Sequence, residues 1–172
     1  MILYLKNKHT LQLDDFYFKC VIGKNGLSKK KIEGDKKTPI GYFNLGNLYY
    51  RKDRIKIPKT NINCIEIKPN MGWCDDIKSK KNYNKLINIS KSKVHHEKLF
   101  RKDNLYDLLI PIKYNYNKVV SGRGSCIFLH CTKNYKPTKG CIALKKKDFL
   151  IMIKLIKKNT KIKILASSPK NT

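Results

Sequence analysis

The sequence predicts a mostly β protein with one or two accessory helices. Three observations predict it. Short apolar runs of strand length recur along the chain, each closed by Gly, Asn or Pro. Only one stretch carries a clear helical period, with a second candidate before it. At 172 residues the chain has the length of one domain. It can bury roughly 70% of its unfolded surface, so it needs no metal or disulfide staple. We expect a single domain over residues 1–166 and a disordered tail over residues 167–172.

MILYL opens the chain as a strand and turn, and FYFKCVIG follows as a second apolar run. KNGLSKKKIEGDKKTPIG is rich in Gly, Asn and Lys and contains a Thr-Pro pair, which predicts a long loop. YFNLGNLYY has the aromatic content of a strand. INCIEIKP is another, with Ile62, Cys64, Ile65 and Ile67 around Glu66.

Pro69 to Lys93 is polar and holds the only tryptophan, Trp73, close to Asp75 and Asp76. We expect a surface loop with little regular structure, of a length that is more often functional than idle. Its tryptophan reads first as an aromatic clamp on the loop and second as part of a substrate lid. Residues 95–109 predict a short helix that puts His95 and His96 on an exposed surface. Adjacent helical histidines diverge by about 100°, and HExxH spacing is absent.

LLIPIKYN and GRGSCIFLHC predict two further strands, the second after a glycine turn. LKKKDFLIMIKLIKK places Phe149, Leu150, Met152, Ile153, Leu155 and Ile156 between lysines, the pattern of an amphipathic helix. TKIKILA closes the domain as a strand. The total is about seven or eight strands.

Charge is the outstanding compositional feature: 39 Lys and Arg against 12 Asp and Glu, net +27. Such a balance suits nucleic acid, an anionic surface or an acidic polymer. Only Arg51, Arg54, Arg101 and Arg123 are arginines, however. Base and phosphate recognition favours the planar arginine fork, so a lysine excess in an Asn- and Ile-rich chain reads first as solvated surface. No specific nucleic-acid partner is expected, and we expect a monomer. No apolar run reaches the roughly 18 residues of a membrane helix. The N-terminus lacks the basic start of a signal peptide.

Six cysteines are present, at 20, 64, 74, 126, 131 and 141. Cys20, Cys64 and Cys126 fall in apolar strand-like runs, where a buried free thiol is the ordinary state. Cys131 reads as a packing residue opposite His130. A zinc reading for Cys126, His130, Cys131 and Cys141 fails on spacing. On one strand Cys126 and His130 would stand about 13 Å apart. His130 and Cys131 would face opposite ways, and no CxxC knuckle exists. Neither a metal nor a cofactor is expected.

His130 ends an apolar strand, and Cys141 follows eleven residues later behind Gly140. A neighbouring imidazole raises the thiolate fraction of a cysteine and turns it into a nucleophile. Gly140 lets the backbone turn tightly. Backbone N–H groups beside the nucleophile are suited to an oxyanion, where one donor is worth about 3 kcal/mol. Taken alone, the pair reads first as a core cysteine and a structural histidine.

The stretch His130…Thr138-Lys139-Gly140-Cys141 resembles the signature of the L,D-transpeptidase catalytic domain (YkuD-type). Two upstream blocks match in family order: Val21 to Gly26 (VIGKNG) and Glu33 to Gly46 (EGDKKTPIGYFNLG). Ser121 to His130 resembles the entry strand of a compact branch of that family. The resemblance implies a sandwich-like β barrel with a helix. It also implies a cysteine acyl-transferase acting on peptidoglycan tetrapeptide stems through a thioester.

On this sequence Cys141 is then the nucleophile and His130 the base and acid. Gly140 and Cys141 offer oxyanion donors. Thr138 shapes the loop, and Asp35 and Thr38 belong to the segment lining the groove. Lys139 and Ala143 stand where the common motif has a histidine and an arginine. Arg123, or a surface lysine, is the candidate for replacing that arginine's charge toward substrate.

Two further readings stay open. One is a carboxypeptidase-like hydrolase on the same stems, since water and an amine compete for one thioester. The other is a basic binding module without catalysis, for nucleic acid or an anionic cell-wall polymer. The chemistry implies the cell envelope or periplasm. The lack of a visible leader keeps the cytoplasm open.

Overall fold

A computed structural model describes residues 1–165, and the predicted tail over 167–172 lies outside them. Two hairpins start the chain: β1 (Ile2–Asn7), β2 (Thr10–Leu13) and β3 (Phe16–Val21) pair antiparallel in sequence order. In β2, Leu11 and Leu13 alternate with Thr10 and Gln12, and both leucines are buried. The predicted long loop follows, broken only by the two-residue strands β4 (Leu27–Ser28) and β5 (Thr38–Pro39). YFNLGNLYY yields two strands rather than one, β6 (Gly41–Asn44) and β7 (Leu48–Tyr50). Gly46 lies against Pro111 at this break, where a Cβ would meet proline atoms at 3.3 Å.

β8 (Cys64–Glu66) is followed by β9 (Met71–Cys74), β10 (Leu86–Asn88) and β11 (His96–Lys98). β12 (Leu108–Pro111), β13 (Phe128–Thr132), β14 (Ile142–Lys145), helix α1 (Lys146–Leu155) and β15 (Lys161–Ile164) complete the order. α1 buries Phe149, Met152 and Ile153, the stripe its periodicity predicts.

Ten strands form one sheet in the order β6-β15-β1-β2-β3-β14-β13-β12-β7-β8. The sheet curls until its β6 end meets the end of β12. There Leu45 bridges Ile112, and Gly46 N–H donates to the Pro111 carbonyl at 2.8 Å.

The two faces of the central strands bury different sets. Leu129, Cys131, Ile142 and Leu144 join the main core with Phe149, Met152 and Ile153 of α1. The alternate residues Phe128 and Cys141 join a second cluster with Trp73, Tyr106 and Leu109. Cys131 is thus a packing residue on the face away from His130, as its position predicts.

Three expectations are corrected. The described residues hold fifteen strands rather than seven or eight, many of them only two to four residues long. Pro69 to Lys93 is not an irregular loop: β9 is the centre of a three-stranded sheet, flanked by β10 and β11. Trp73 is only 3% exposed and meets Phe128 edge-on at 5.3 Å. Residues 95–109 are not a helix. His96 pairs with Cys74 and Glu97 with Trp73 across the β9–β11 ladder, and the chain then turns into β12. The ladder and Leu99, fully buried in the second cluster, outweigh the segment's modest helical propensity.

Candidate active site

β13 and β14 run parallel, with His130 beside Ala143 and Leu129 beside Ile142. Alternation along each strand puts Cys141 and His130 on the same face of neighbouring strands. Both line one cavity of about 850 Å³. Cys141 is 7% exposed and so is His130, so the site is a floor reached through the cleft rather than an open surface.

His130 Nδ1 lies 2.8 Å from the Cys131 carbonyl. A carbonyl only accepts, so Nδ1 carries the proton and Nε2 keeps its lone pair. Burial pushes His130 down to about 4, so the ring is the neutral, basic form at neutral pH. The ring also meets Tyr106 edge-on at 5.3 Å, and the Arg101 guanidinium sits over that same Tyr106 ring, 5.0 Å from its centroid.

The Cys141 thiol donates to the Cys126 carbonyl at 3.1 Å and accepts from Phe128 N–H at 3.4 Å. Burial pushes the thiol up to about 12. The resting pair is therefore thiol and imidazole, not the thiolate and imidazolium that an adjacent histidine predicts. Among the described residues no hydrogen bond joins the two.

Cys126 is not on the strand. It occupies the turn before β13, at a left-handed φ of 53°, and the residue lines the cavity. Cys20 and Cys64 lie in β3 and β8 as their runs predict.

The three sequence blocks converge behind the thiol. Thr38 Oγ1 donates to the Gly140 carbonyl at 2.7 Å and accepts from Gly23 N–H at 2.9 Å. Thr138 bridges to Gly23, and Lys24 N–H donates to the Thr138 carbonyl at 2.9 Å. Thr138 Oγ1 accepts from Gly140 N–H at 3.1 Å and donates to the Cys141 carbonyl at 2.6 Å. Gly140 has φ 139°, and a Cβ there would lie 2.9 Å from the Lys37 carbonyl.

These contacts separate the predicted residues. Cys141, His130 and Thr138 share the cavity wall. Thr38 is fully buried and acts by holding Gly140, with no face toward the cavity. The Gly140 N–H is already engaged by Thr138. Asp35 braces its loop by accepting from Ile32 N–H at 3.1 Å and Lys37 N–H at 2.9 Å, and it does not line the cavity. Hydrogen bonds from Lys31 and from backbone outweigh its partial burial and hold its carboxyl below the usual range. Arg123 is exposed on the turn before β13 and stands apart from the cavity.

Other groups line the cavity that spacing did not single out. Arg101 is held by Glu97 at 2.7 Å and Asp103 at 2.6 Å. Glu33 accepts from the Tyr83 hydroxyl and from Ser125 Oγ. At the mouth, exposed His95 lies 2.5 Å from Asp75, whose carboxylate holds the imidazole above its ordinary range. The pair Asp75 and Asp76, noted beside Trp73 in the sequence, does reach the cavity.

A mostly β fold with a thiol and an imidazole on the floor of one cleft matches a family of enzymes. The chain belongs to the L,D-transpeptidase catalytic domain (YkuD) family, whose model matches residues 1–164. A search of curated proteins finds no match. Among solved structures, the chain is similar to the helical cell shape determining protein Pgp2 from Campylobacter jejuni. The TM-score is 0.52 at 18% identity, over 95% of this chain and 46% of that one. A point variant of Pgp2 gives 0.49 at the same identity and coverage. The likeness is one of fold, and this chain spans less than half the length of that structure. No helix among the described residues is long and apolar enough to cross a membrane.

Proposed function

We propose that the protein is a cysteine acyl-transferase acting on peptidoglycan tetrapeptide stems in the cell envelope, with Cys141 as nucleophile. The observation that carries this reading is that Cys141 and His130 face one cavity from adjacent parallel strands. Family membership supports the substrate class.

His130 Nε2 takes the thiol proton as sulfur attacks the carbonyl preceding the terminal D-residue. A C–S bond forms, the amide C–N bond breaks, and the same proton leaves with the amine. An amine of a second stem then attacks the thioester, releases the thiol and restores the pair. Because the thiol rests neutral, proton transfer accompanies attack rather than preceding it. Cys141 precedes Ala143, the strand partner of His130, by two residues, an offset of about 4.8 Å across and about 6.6 Å along, so the thiol must leave the Cys126 carbonyl and rotate toward the ring.

A hydrolytic outcome is the second reading. Ala143 occupies the cavity wall beside His130, where the common motif carries an arginine. With no side-chain charge there to hold an acceptor, water competes for the thioester. The test is product analysis on defined muropeptides, with and without added amine, for wild type and Cys141→Ala. Cross-linked or trimmed products from wild type and none from Cys141→Ala support the reading. Equal conversion by both overturns it.

A further inference from the structure

Lys31 stands out among the lysines. Its neighbours Lys29 and Lys30 are exposed, whereas its own side chain is only 3% exposed. A buried ammonium requires partners. Lys31 Nζ donates to Asp35 Oδ1 at 2.5 Å and to the Lys37 carbonyl at 2.7 Å. The same carbonyl lies 2.9 Å from where a Cβ would stand on Gly140, and Nζ itself lies 3.7 Å from that point. The ammonium therefore sits directly against the residue before Cys141. The ion pair is also oriented, since Lys31 lines the cavity and Asp35 does not.

We propose that Lys31 is a positioning residue whose fixed ammonium stabilises the negative charge that develops on the Cys141 sulfur. The inference rests on the assignment of Cys141 as nucleophile. Lys31 from the β4–β5 loop and Glu97 from β11 act on the sulfur by charge, Tyr106 and Cys126 are its titratable neighbours, and His130 beside them is neutral; Glu33 and Arg101 line the same cavity. Burial dominates and raises the thiol, the Phe128 N–H draws it down, Glu97 raises it and Lys31 lowers it, so Lys31 is the one charge that favours the thiolate. A preorganised cation in a water-poor site acts more strongly than one in solvent. Held by two partners, it needs no reorientation during attack.

The test is the pH dependence of Cys141 alkylation by iodoacetamide in the full chain, read by peptide mass spectrometry beside a thermal melt. Lys31→Met and Lys31→Gln are expected to slow alkylation at pH 8 about tenfold, displacing the profile upward by about one unit. Lys31→Arg keeps the cation and is expected to displace the profile by less than about half a unit. An unchanged profile in folded Lys31→Gln overturns the proposal. So does an equal displacement by Lys31→Arg. Failure of all three variants to fold assigns Lys31 to stability alone and overturns it as well. The readout uses no substrate, so loss of the stem-peptide assignment shows separately, as activity retained by Cys141→Ala.

Discussion

Thr38 Oγ1 donates to the carbonyl of Gly140 at 2.7 Å, a side chain and a backbone group 102 residues apart. The same hydroxyl accepts from Gly23 N–H at 2.9 Å. One buried atom thus joins three segments that carry the family resemblance, and it does so behind the thiol rather than in front of it. Thr38→Val keeps the shape and removes the hydroxyl, leaving Gly23 N–H and the Gly140 carbonyl without this partner. Each buried orphan costs about 1–3 kcal/mol. We expect a loss of roughly 2–6 kcal/mol by denaturant unfolding, with Thr38→Ser recovering most of it. Equal stability of Thr38→Val and wild type would remove the clamp from the account.

Gly140→Ala tests the same clamp from its other side. Its φ of 139° belongs to glycine, and the new Cβ would lie 2.9 Å from the Lys37 carbonyl and 3.2 Å from Ile127 Cδ1. Backbone cannot give as a flexible side chain can, so the Gly140–Cys141 segment must shift. A displacement of about 1 Å lowers turnover by about a hundredfold. The measurement is kcat on a defined muropeptide, together with the melt to show that the fold survives.

The pH response follows from His130. Its folded value of about 4 lies below the unfolded value near 6.5. Between those values the unfolded chain binds the proton and the folded chain does not, so stability rises with pH across that window. At acid pH this group opposes folding by a few kcal/mol. Cys141, raised to about 12, acts in the other direction, with stability present below about 9 and lost as pH climbs from 9 to 12. His130→Gln should flatten the acid limb of stability against pH. An acid limb identical to wild type would contradict the buried neutral imidazole.

Asn84 is a different kind of anchor. It sits at a left-handed φ of 56° and uses all four of its hydrogen-bonding positions. Oδ1 accepts from Trp73 Nε1 at 3.0 Å and from Cys126 N–H at 3.2 Å. Nδ2 donates to the Tyr114 and Asn115 carbonyls at 3.1 and 2.7 Å. It therefore ties the three-stranded sheet to the turn that presents Cys126 to the thiol. Asn84→Ala should destabilise by about 3 kcal/mol and lower activity through a displaced Cys126 carbonyl. A melt unchanged from wild type would mean the sheet docks by apolar contact alone.

How legible the sequence is depends on where each element finds its partners. α1 and β2 reveal themselves by period, because their buried faces follow local spacing. His130 and Cys141 are legible through the resemblance carried by His130…Thr138-Lys139-Gly140-Cys141 and the two upstream blocks, since a bare Cys/His pair reads as readily as core packing. The β9–β11 sheet is not, since its register comes from pairings among segments separated by lysine- and asparagine-rich turns. Residues 95–109 misled for a related reason. Glu97 and Arg101 have helical i,i+4 spacing, yet they meet as an ion pair across a strand end and a turn. Lys31 is invisible in the run of three lysines, where nothing local says which one is buried. Arg123 looked available for charge replacement, but the turn before β13 leaves it exposed away from the cavity, while Arg101 reaches it from a segment read as helix.

The most direct test of the central claim is intact-protein mass spectrometry of wild type quenched with a tetrapeptide muropeptide. The account predicts an adduct on the Cys141 peptide equal to the stem lacking its terminal residue. It should be absent in Cys141→Ala and form much more slowly in His130→Ala. Conversion of the muropeptide with no adduct in wild type, and at the same rate in Cys141→Ala, would contradict it.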